Sequence, residues 1–164
     1  MRMALITGGS GHIGSNLSRE LLNQGFEVRC IDFDKDHRAL KDLNVELIPG
    51  SVTDKESLKP IFKNVDIVFH LAANADVRYG YKNPYRDLEQ NTISTYHVLE
   101  SMRKNNVNKI VFCSTGSVYG EPKNFPTPEN DNFPIQTSFY GASKIAGESF
   151  VQAYCEAFNF KSWI

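Results

Sequence analysis

The chain has 164 residues, 41% of them hydrophobic and 23% charged, which fits a single globular domain and not a disordered or fibrous segment. Lys and Arg number 18 and Asp and Glu 19, a net charge of −1, so no basic excess exists to hold nucleic acid or an anionic membrane. No apolar run approaches the roughly 20 residues that span a bilayer, and the start Ala4-Leu5-Ile6 meets glycines too soon to be a signal peptide.

In chain order, Met3 to Thr7 is a short apolar run ending in glycines, which predicts a buried strand. Ile13, Leu17, Leu21 and Leu22 recur at helical spacing over His12 to Asn23, and Gly25 is the stop signal. Glu27 to Ile31 is a second strand, ended by the acidic residues Asp32, Asp34 and Asp36. A weak helix over Arg38 to Leu43 precedes a third strand, Val45 to Ile48. Asp54 is a good N-cap for a helix through Phe62. Val65 to Leu71 is a fourth strand, apolar on both faces at Ile67-Val68-Phe69, as a central parallel strand is. Pro84 to Lys104 is a long helix and Lys109 to Ser114 a fifth strand. A loop with Pro122, Pro126, Pro128 and Pro134 leads to a helix over Ser138 to Phe158. Phe160 to Ile164 reads as the start of a sixth strand. Strands alternating with helices imply parallel pairing through right-handed crossovers. The expected fold is therefore one doubly wound α/β domain, a Rossmann fold. It is expected to be truncated in its sixth strand, because the chain stops inside that apolar run.

The segment Thr7-Gly-Gly-Ser-Gly-His-Ile-Gly14 follows the first strand and opens the first helix. Gly9, Gly11 and Gly14 satisfy GxGxxG, and Gly8, Gly11 and Gly14 satisfy GxxGxxG. Glycine is needed where a backbone turns tightly and lets a pyrophosphate reach the free N–H groups of a helix start. A plain strand-to-helix turn would need no acid beyond it, yet Asp32 lies 18 positions after Gly14, near the ~20 of a ribose-binding carboxylate. A carboxylate accepts bonds from two ribose hydroxyls and repels a 2′-phosphate, and Asp34 adds negative charge, so NAD is favoured over NADP. Lys35 and Arg38 are the nearby cations that would favour NADP.

Tyr140-Gly-Ala-Ser-Lys144 places a phenol and an ammonium at i and i+4, on one helix face. The ammonium is expected to lower the phenol toward working pH, making a base for an alcohol that loses hydride. A second match, Tyr119 to Lys123, contains Pro122 and cannot be a continuous helix. Small hydroxyl residues close the fifth strand at Ser114-Thr115-Gly116-Ser117, where α/β enzymes place chemistry. Thr115 could orient a substrate oxygen, or simply cap the turn. Ser114 ranks below it.

Together TGGSGHIGS, Asp32, VFHLAA, VFCSTGSVYG and YGASK resemble the extended short-chain dehydrogenase/reductase family, and within it the NAD-dependent nucleotide-sugar epimerases and dehydratases. The matches run in order over nearly the whole chain. The resemblance implies that Gly8, Gly11, His12, Ile13 and Gly14 line the pyrophosphate, that Asp32 and Phe33 hold the adenine ribose side, and that Ser51 and Val52 flank the adenine. The family usually carries Gly-Asp where this chain has Gly50-Ser51. Leu71, Ala72 and Ala73 would pass under the nicotinamide half and Asn91 would face the cofactor. Thr115, Tyr140 and Lys144 would be catalytic, Tyr140 and Lys144 also touching cofactor. Asn74, Thr115 and Tyr140 would touch a nucleotide-sugar substrate. Gly116 and Ser117 stand where 4,6-dehydratases carry Asp-Glu, so the resemblance points to a UDP-glucose 4-epimerase-like enzyme. The alternatives are a dehydratase or dehydrogenase/reductase of the family, and an NAD-binding module without catalysis. Relatives pair through helices matching 84–104 and 138–158, which implies a homodimer. The remaining C-terminal part and substrate lobe of such enzymes are absent, so the fifth strand is expected to lack a completed neighbour and the chain alone to be inactive.

The other polar residues carry less. His12, His37, His70 and His97 have no metal-ligand spacing, so no metal is expected and His70 reads as a satisfied structural histidine. Cys30, Cys113 and Cys155 are far apart and odd in number, and read as thiols of a reducing cytoplasm. Tyr79, Tyr81 and Tyr85 could line a sugar pocket or pack a loop.

Overall fold

The structure is a computed structural model that describes residues 2–33, 37–131 and 135–164. Asp34, Lys35, Asp36 and Pro134 lie outside the described residues. The elements are β1 (Arg2–Thr7), α1 (His12–Asn23), β2 (Phe26–Asp32), β3 (Glu46–Pro49), α2 (Lys55–Leu58), β4 (Ile67–His70), α3 (Pro84–Asp87), α4 (Ser94–Lys104), β5 (Lys109–Phe112), α5 (Phe139–Phe158) and β6 (Lys161–Trp163). The strands form one parallel sheet in the order β3-β2-β1-β4-β5-β6. The order reverses direction between β1 and β4. A crevice opens at such a switch point, outside the carboxyl ends of the strands.

Both faces of the sheet are covered. Ala4, Ile6, Val28, Cys30 and Leu21 pack on the α1 side. Leu5, Ile31, Val68, Ile110, Val98, Leu99, Met102 and Val151 pack on the side of α4 and α5. Alternate residues of β1 thus enter opposite cores, the reason its sequence is apolar without a polar face.

Three departures from the sequence expectation have local causes. The helix capped by Asp54 accepts the Glu56 N–H at 3.0 Å as expected, but stops at Leu58. Pro60 would strike the Glu56 carbonyl and has no N–H to continue the ladder. The long helix from Pro84 is not uniform: Leu88–Ile93 forms a π-helical turn between α3 and α4. The Ser94 and Thr95 hydroxyls donate to the Gln90 and Asn91 carbonyls, at 2.6 and 2.5 Å, and so satisfy acceptors that the widened turn loosens. The weak helix after β2 is a 3₁₀ turn over Arg38–Leu40.

The fifth strand does not lack a neighbour, which corrects the expectation. Lys109, Ile110 and Val111 pair with Lys161, Ser162 and Trp163, and Ile110 is fully buried. The open edge belongs to β6 instead, where Trp163 and Ile164 are half-exposed. The core side is anchored by Leu99, fully buried on α4. Leu99→Ala is expected to cost about 2–5 kcal/mol, because the packed neighbours collapse only partly into the void. Urea unfolding of the two proteins measures this difference.

Candidate active site

The cleft begins where β1 turns into α1. Gly8 has φ +74°, and a Cβ there would stand 3.0 Å from the Ala72 backbone. A Cβ at Gly14 would stand 2.3 Å from the Gly8 carbonyl oxygen. A side chain at Gly14 would push α1 away from the end of β1, and one at Gly8 would strike the segment that follows β4. Gly11 caps α1 without a side-chain hydrogen bond, and the first turn holds no acidic residue. The N–H groups and the positive end of a three-turn helix are thus left for an anion.

The cleft has a volume of about 420 Å³ and is lined by Gly8, Gly11, Ile31, Asp32, Phe33, Gly50, Ser51, Val52, Thr53, Leu71, Ala72, Ala73 and Gln90. Asp32 closes β2 and is 9% exposed. Its Oδ2 accepts the Ser10 N–H at 2.9 Å, so the glycine loop fixes the carboxylate that a ribose would meet. The Ser10 hydroxyl also bonds His37 Nδ1 at 2.8 Å. At the β3 end the Ser51 and Thr53 hydroxyls pair at 2.8 Å.

Thr115, Tyr140 and Lys144 do not line this cleft. They gather one strand beyond its Leu71–Ala73 end. Thr115 follows β5 and caps the 3₁₀ turn Gly116–Tyr119, accepting the Ser117 N–H at 3.2 Å. Its hydroxyl also donates to Ser117 Oγ at 3.3 Å, and a hydrogen bond with it lowers the Tyr140 phenol; of the two roles open to Thr115, the structure shows the turn cap. Tyr140 and Lys144 stand one turn apart on α5, whose N-cap Ser138 accepts the Gly141 N–H at 3.0 Å. Lys144 is 3% exposed, and its Nζ lies 4.4 Å from the Phe112 ring centroid, a cation–π contact.

A family model described as the NAD dependent epimerase/dehydratase family matches residues 4–164. The chain belongs to this family. It is 39% identical over 161 residues to the UDP-glucose 4-epimerase of Halalkalibacterium halodurans, covering 96% of this chain and 47% of that protein. Its fold matches the UDP-glucose 4-epimerase of Thermotoga maritima, solved with UDP-glucose, with TM-score 0.91 and 34% identity over 98% of this chain and 53% of that one. It matches the Thermus thermophilus UDP-glucose 4-epimerase, a complex with NAD, with TM-score 0.84 and 31% identity over 98% and 53%. The chain spans about half the length of the curated relatives it matches.

Within this epimerase/dehydratase chain one electrostatic expectation is corrected. Burial pushes the Tyr140 phenol above its ordinary 10.0; the bond from Thr115 lowers it, and negative charge on Cys113 or Asp87 raises it. Burial also lowers the Lys144 ammonium, against the pull of Cys113 and Glu148. Burial is the largest cause for both groups and Lys144 is not among the charges that act on the phenol, so the phenol is not brought down toward neutral pH.

The other expected residues fall into two groups. Gly8, Gly11, Asp32, Phe33, Ser51, Val52, Leu71, Ala72 and Ala73 all line the cleft. His12 and Ile13 are exposed at the start of α1 with Gly14 buried behind them. Asn74 and Asn91 are 7% and 2% exposed, and protein partners occupy their amides. Asn91 Oδ1 accepts the Asn74 N–H at 2.7 Å, and Asn91 Nδ2 donates to Ser143 Oγ at 2.9 Å. Gln90, the neighbour of Asn91, is the one that lines the cleft. Ile31, Gly50, Thr53 and Gln90 were not singled out by the sequence. All four flank expected residues, and that adjacency is the signal for the first three. Gln90 lies on the π-turn, which a 3.6-residue period does not register. Tyr81 packs edge-on to Phe139 with centroids 6.3 Å apart, and Arg86 covers Tyr79 at 4.6 Å, so these two tyrosines fasten their loop. Tyr85 is exposed. Among the described residues no three His, Cys, Asp or Glu side chains are placed to hold a metal.

His70 links the two sides of the site. Thr95 Oγ1 donates to the Asn91 carbonyl, so it accepts from His70 Nε2–H at 3.0 Å. His70 Nδ1 then accepts from Thr7 Oγ1–H at 2.7 Å. Thr7 Oγ1 in turn accepts the Leu71 and Ala72 N–H groups at 3.2 and 3.1 Å. This relay fixes the neutral tautomer. Burial, then the charge of Lys144, depress the imidazole from 6.5 to about 3. Below pH 6.5 the unfolded chain protonates His70 and the folded one does not. Folding stability therefore falls as pH drops from 6.5 toward 3, by up to about 1.4 kcal/mol per pH unit from this group. His70→Gln is expected to lose that component of the slope. Urea midpoints of both proteins at pH 7, 6 and 5 provide the comparison.

Proposed function

We propose that the chain is the dinucleotide-binding and proton-transfer part of an NAD-dependent nucleotide-sugar 4-epimerase, of the kind that acts on UDP-glucose. On this reading residues 1–164 form one NAD-binding domain. The observation that carries it is the placement of Thr115, Tyr140 and Lys144 beside a cleft with an uncapped helix start and a ribose-facing carboxylate. The residues fit NAD: the glycine turn leaves no room for Cβ atoms where a pyrophosphate would approach, and the fixed Asp32 carboxylate disfavours a 2′-phosphate. The relatives solved with NAD and with UDP-glucose support the same assignment.

Bound NAD supplies reversible hydride acceptance. The chain's own residues handle the proton. Tyr140 would take it from the sugar 4-hydroxyl and return it after the keto sugar has turned its other face. Thr115, already bonded to the phenol, would hold the same oxygen. Lys144 would bind the nicotinamide ribose and supply positive charge. A phenol held above pH 10 by burial needs such charge to ionise near neutral pH, and the Lys144 ammonium together with a cationic nicotinamide ring would provide it. Gly116 and Ser117 offer no carboxylate for the elimination that a dehydratase performs, which favours epimerisation.

The substrate on this reading is a nucleotide-sugar. No described helix is long and apolar enough to cross a membrane. Cys30, Cys113 and Cys155 are free, and we place the protein in the cytoplasm. The exposed Tyr96 and Phe150, with ring centroids 6.4 Å apart on α4 and α5, support a homodimer through these helices.

Tyr140→Phe separates an enzyme from a binding module. It is expected to lower turnover about 10²–10⁴-fold, the usual yield of a positioned acid–base group, with NAD affinity unchanged. Calorimetry with NAD and a coupled assay of UDP-glucose formation measure the two quantities. Unchanged turnover would remove Tyr140 from the chemistry.

A further inference from the structure

One buried carboxyl group beside the site has no use in the mechanism above. Asp87 ends α3, is 1% exposed, and forms no ion pair among the described residues. Its Oδ1 accepts from Asn74 Nδ2 at 2.8 Å and lies 3.5 Å from Asn91 Nδ2. Its Oδ2 is buried with no hydrogen-bond partner. A Cβ added at Gly80 would stand 2.4 Å from that oxygen and 2.9 Å from Phe139 Cβ. The carboxylate is therefore wedged between the 79–81 turn and the first residue of α5.

The bonds continue from Asp87 to the catalytic helix. Asn91, held by Asn74, donates to Ser143 Oγ at 2.9 Å. The Ser143 hydroxyl donates to the Tyr140 carbonyl at 2.7 Å. Thr92 Oγ1 donates to the Ser143 carbonyl at 3.2 Å. Three elements that are far apart in sequence thus meet at the first turn of α5. A neutral amide would satisfy Asn74 as well as a carboxyl group does, and the second oxygen of Asp87, buried without a partner, is what calls for a reason.

We propose that Asp87 is a positioning residue for Tyr140: through Asn74, Asn91 and Ser143 it fixes the first turn of α5 and with it the place of the phenol. The proposal rests on the reading of Tyr140 as the proton-transfer group. Among titratable groups packed around that turn, Asp87 and Cys113 are the two whose charge raises the phenol, while Thr115 lowers it by a hydrogen bond. Lys144 on α5 is the neighbouring cation, and Glu148 and Cys113 face Lys144.

Fluorine spectroscopy on the chain carrying 3-fluorotyrosine tests this without turnover. The resonance lost in Tyr140→Phe identifies residue 140. In Asp87→Ala that resonance should change its chemical shift, and amide exchange over 141–144 should speed up about tenfold or more, because the bonded path is cut. In Asp87→Asn, which keeps the acceptor for Asn74, exchange over 141–144 should be unchanged and the resonance should move less than in Asp87→Ala. A Tyr140 resonance or an exchange rate unmoved in Asp87→Ala overturns the proposal. Turnover retained by Tyr140→Phe would instead overturn the proton-transfer reading, a separate measurement.

Discussion

No side chain can stand between the end of β1 and the start of α1. The Gly8 carbonyl occupies the place a Cβ at Gly14 would take, and the Ala72 backbone stands against Gly8 itself. This contact brings three things within reach of one another: the uncapped α1 start, the β4 segment Leu71–Ala73, and Asp32, which the loop grips through the Ser10 N–H. The cleft is the space these leave. Its apolar lining comes from strand ends and its polar groups are few, as a bound dinucleotide requires.

The site is built around polar groups buried at the carboxyl ends of β1, β4 and β5, each of which must find a partner inside the protein. Thr7, His70 and Thr95 solve this as a chain that ends on the π-turn. Asn74, Asn91 and Ser143 solve it as a second chain that ends on α5. Both chains pass through the turn at Leu88–Ile93. Its irregularity has a local use: it presents the Asn91 carbonyl to Thr95 and the Asn91 amide to Ser143, while Gln90 reaches the cleft. π-turns are rare and concentrate at functional sites, and this one joins the cleft side to the Tyr140 helix.

The parallel sheet and the glycine loop were legible because their signals are local: apolar runs of strand length, GxGxxG after the first of them, Asp32 after the second. Asp54 announced its helix, and Pro60 could have announced where that helix ends. The π-turn was not legible, since Leu88, Ile93, Val98 and Met102 suit an ordinary helix as well. Asn91 was legible as important and not as to why. A helical period marks which face it occupies, but its partners Asn74 and Ser143 lie 17 and 52 positions away. The partner of β5 was misjudged because three residues, Lys161 to Trp163, suffice to pair it. The Tyr140–Lys144 spacing was right in geometry and wrong in electrostatics, because spacing carries no information about burial.

That last point bears on how the site would be switched on. Burial alone disfavours both charged forms, phenolate and ammonium. Enclosure alone makes the Tyr140 phenol hold its proton more firmly. A cofactor carrying positive charge on its ring would reverse that balance at the place where the substrate hydroxyl must be deprotonated. Charge from the ligand would then do what Lys144 does not do alone. The same low dielectric that makes ionisation costly makes each added charge act strongly. Thr115 adds to this from the protein side, since a hydroxyl bonded to the phenolate stabilises it without bringing a charge. On the proposed reading the phenol would become a base only once its ligands are in place.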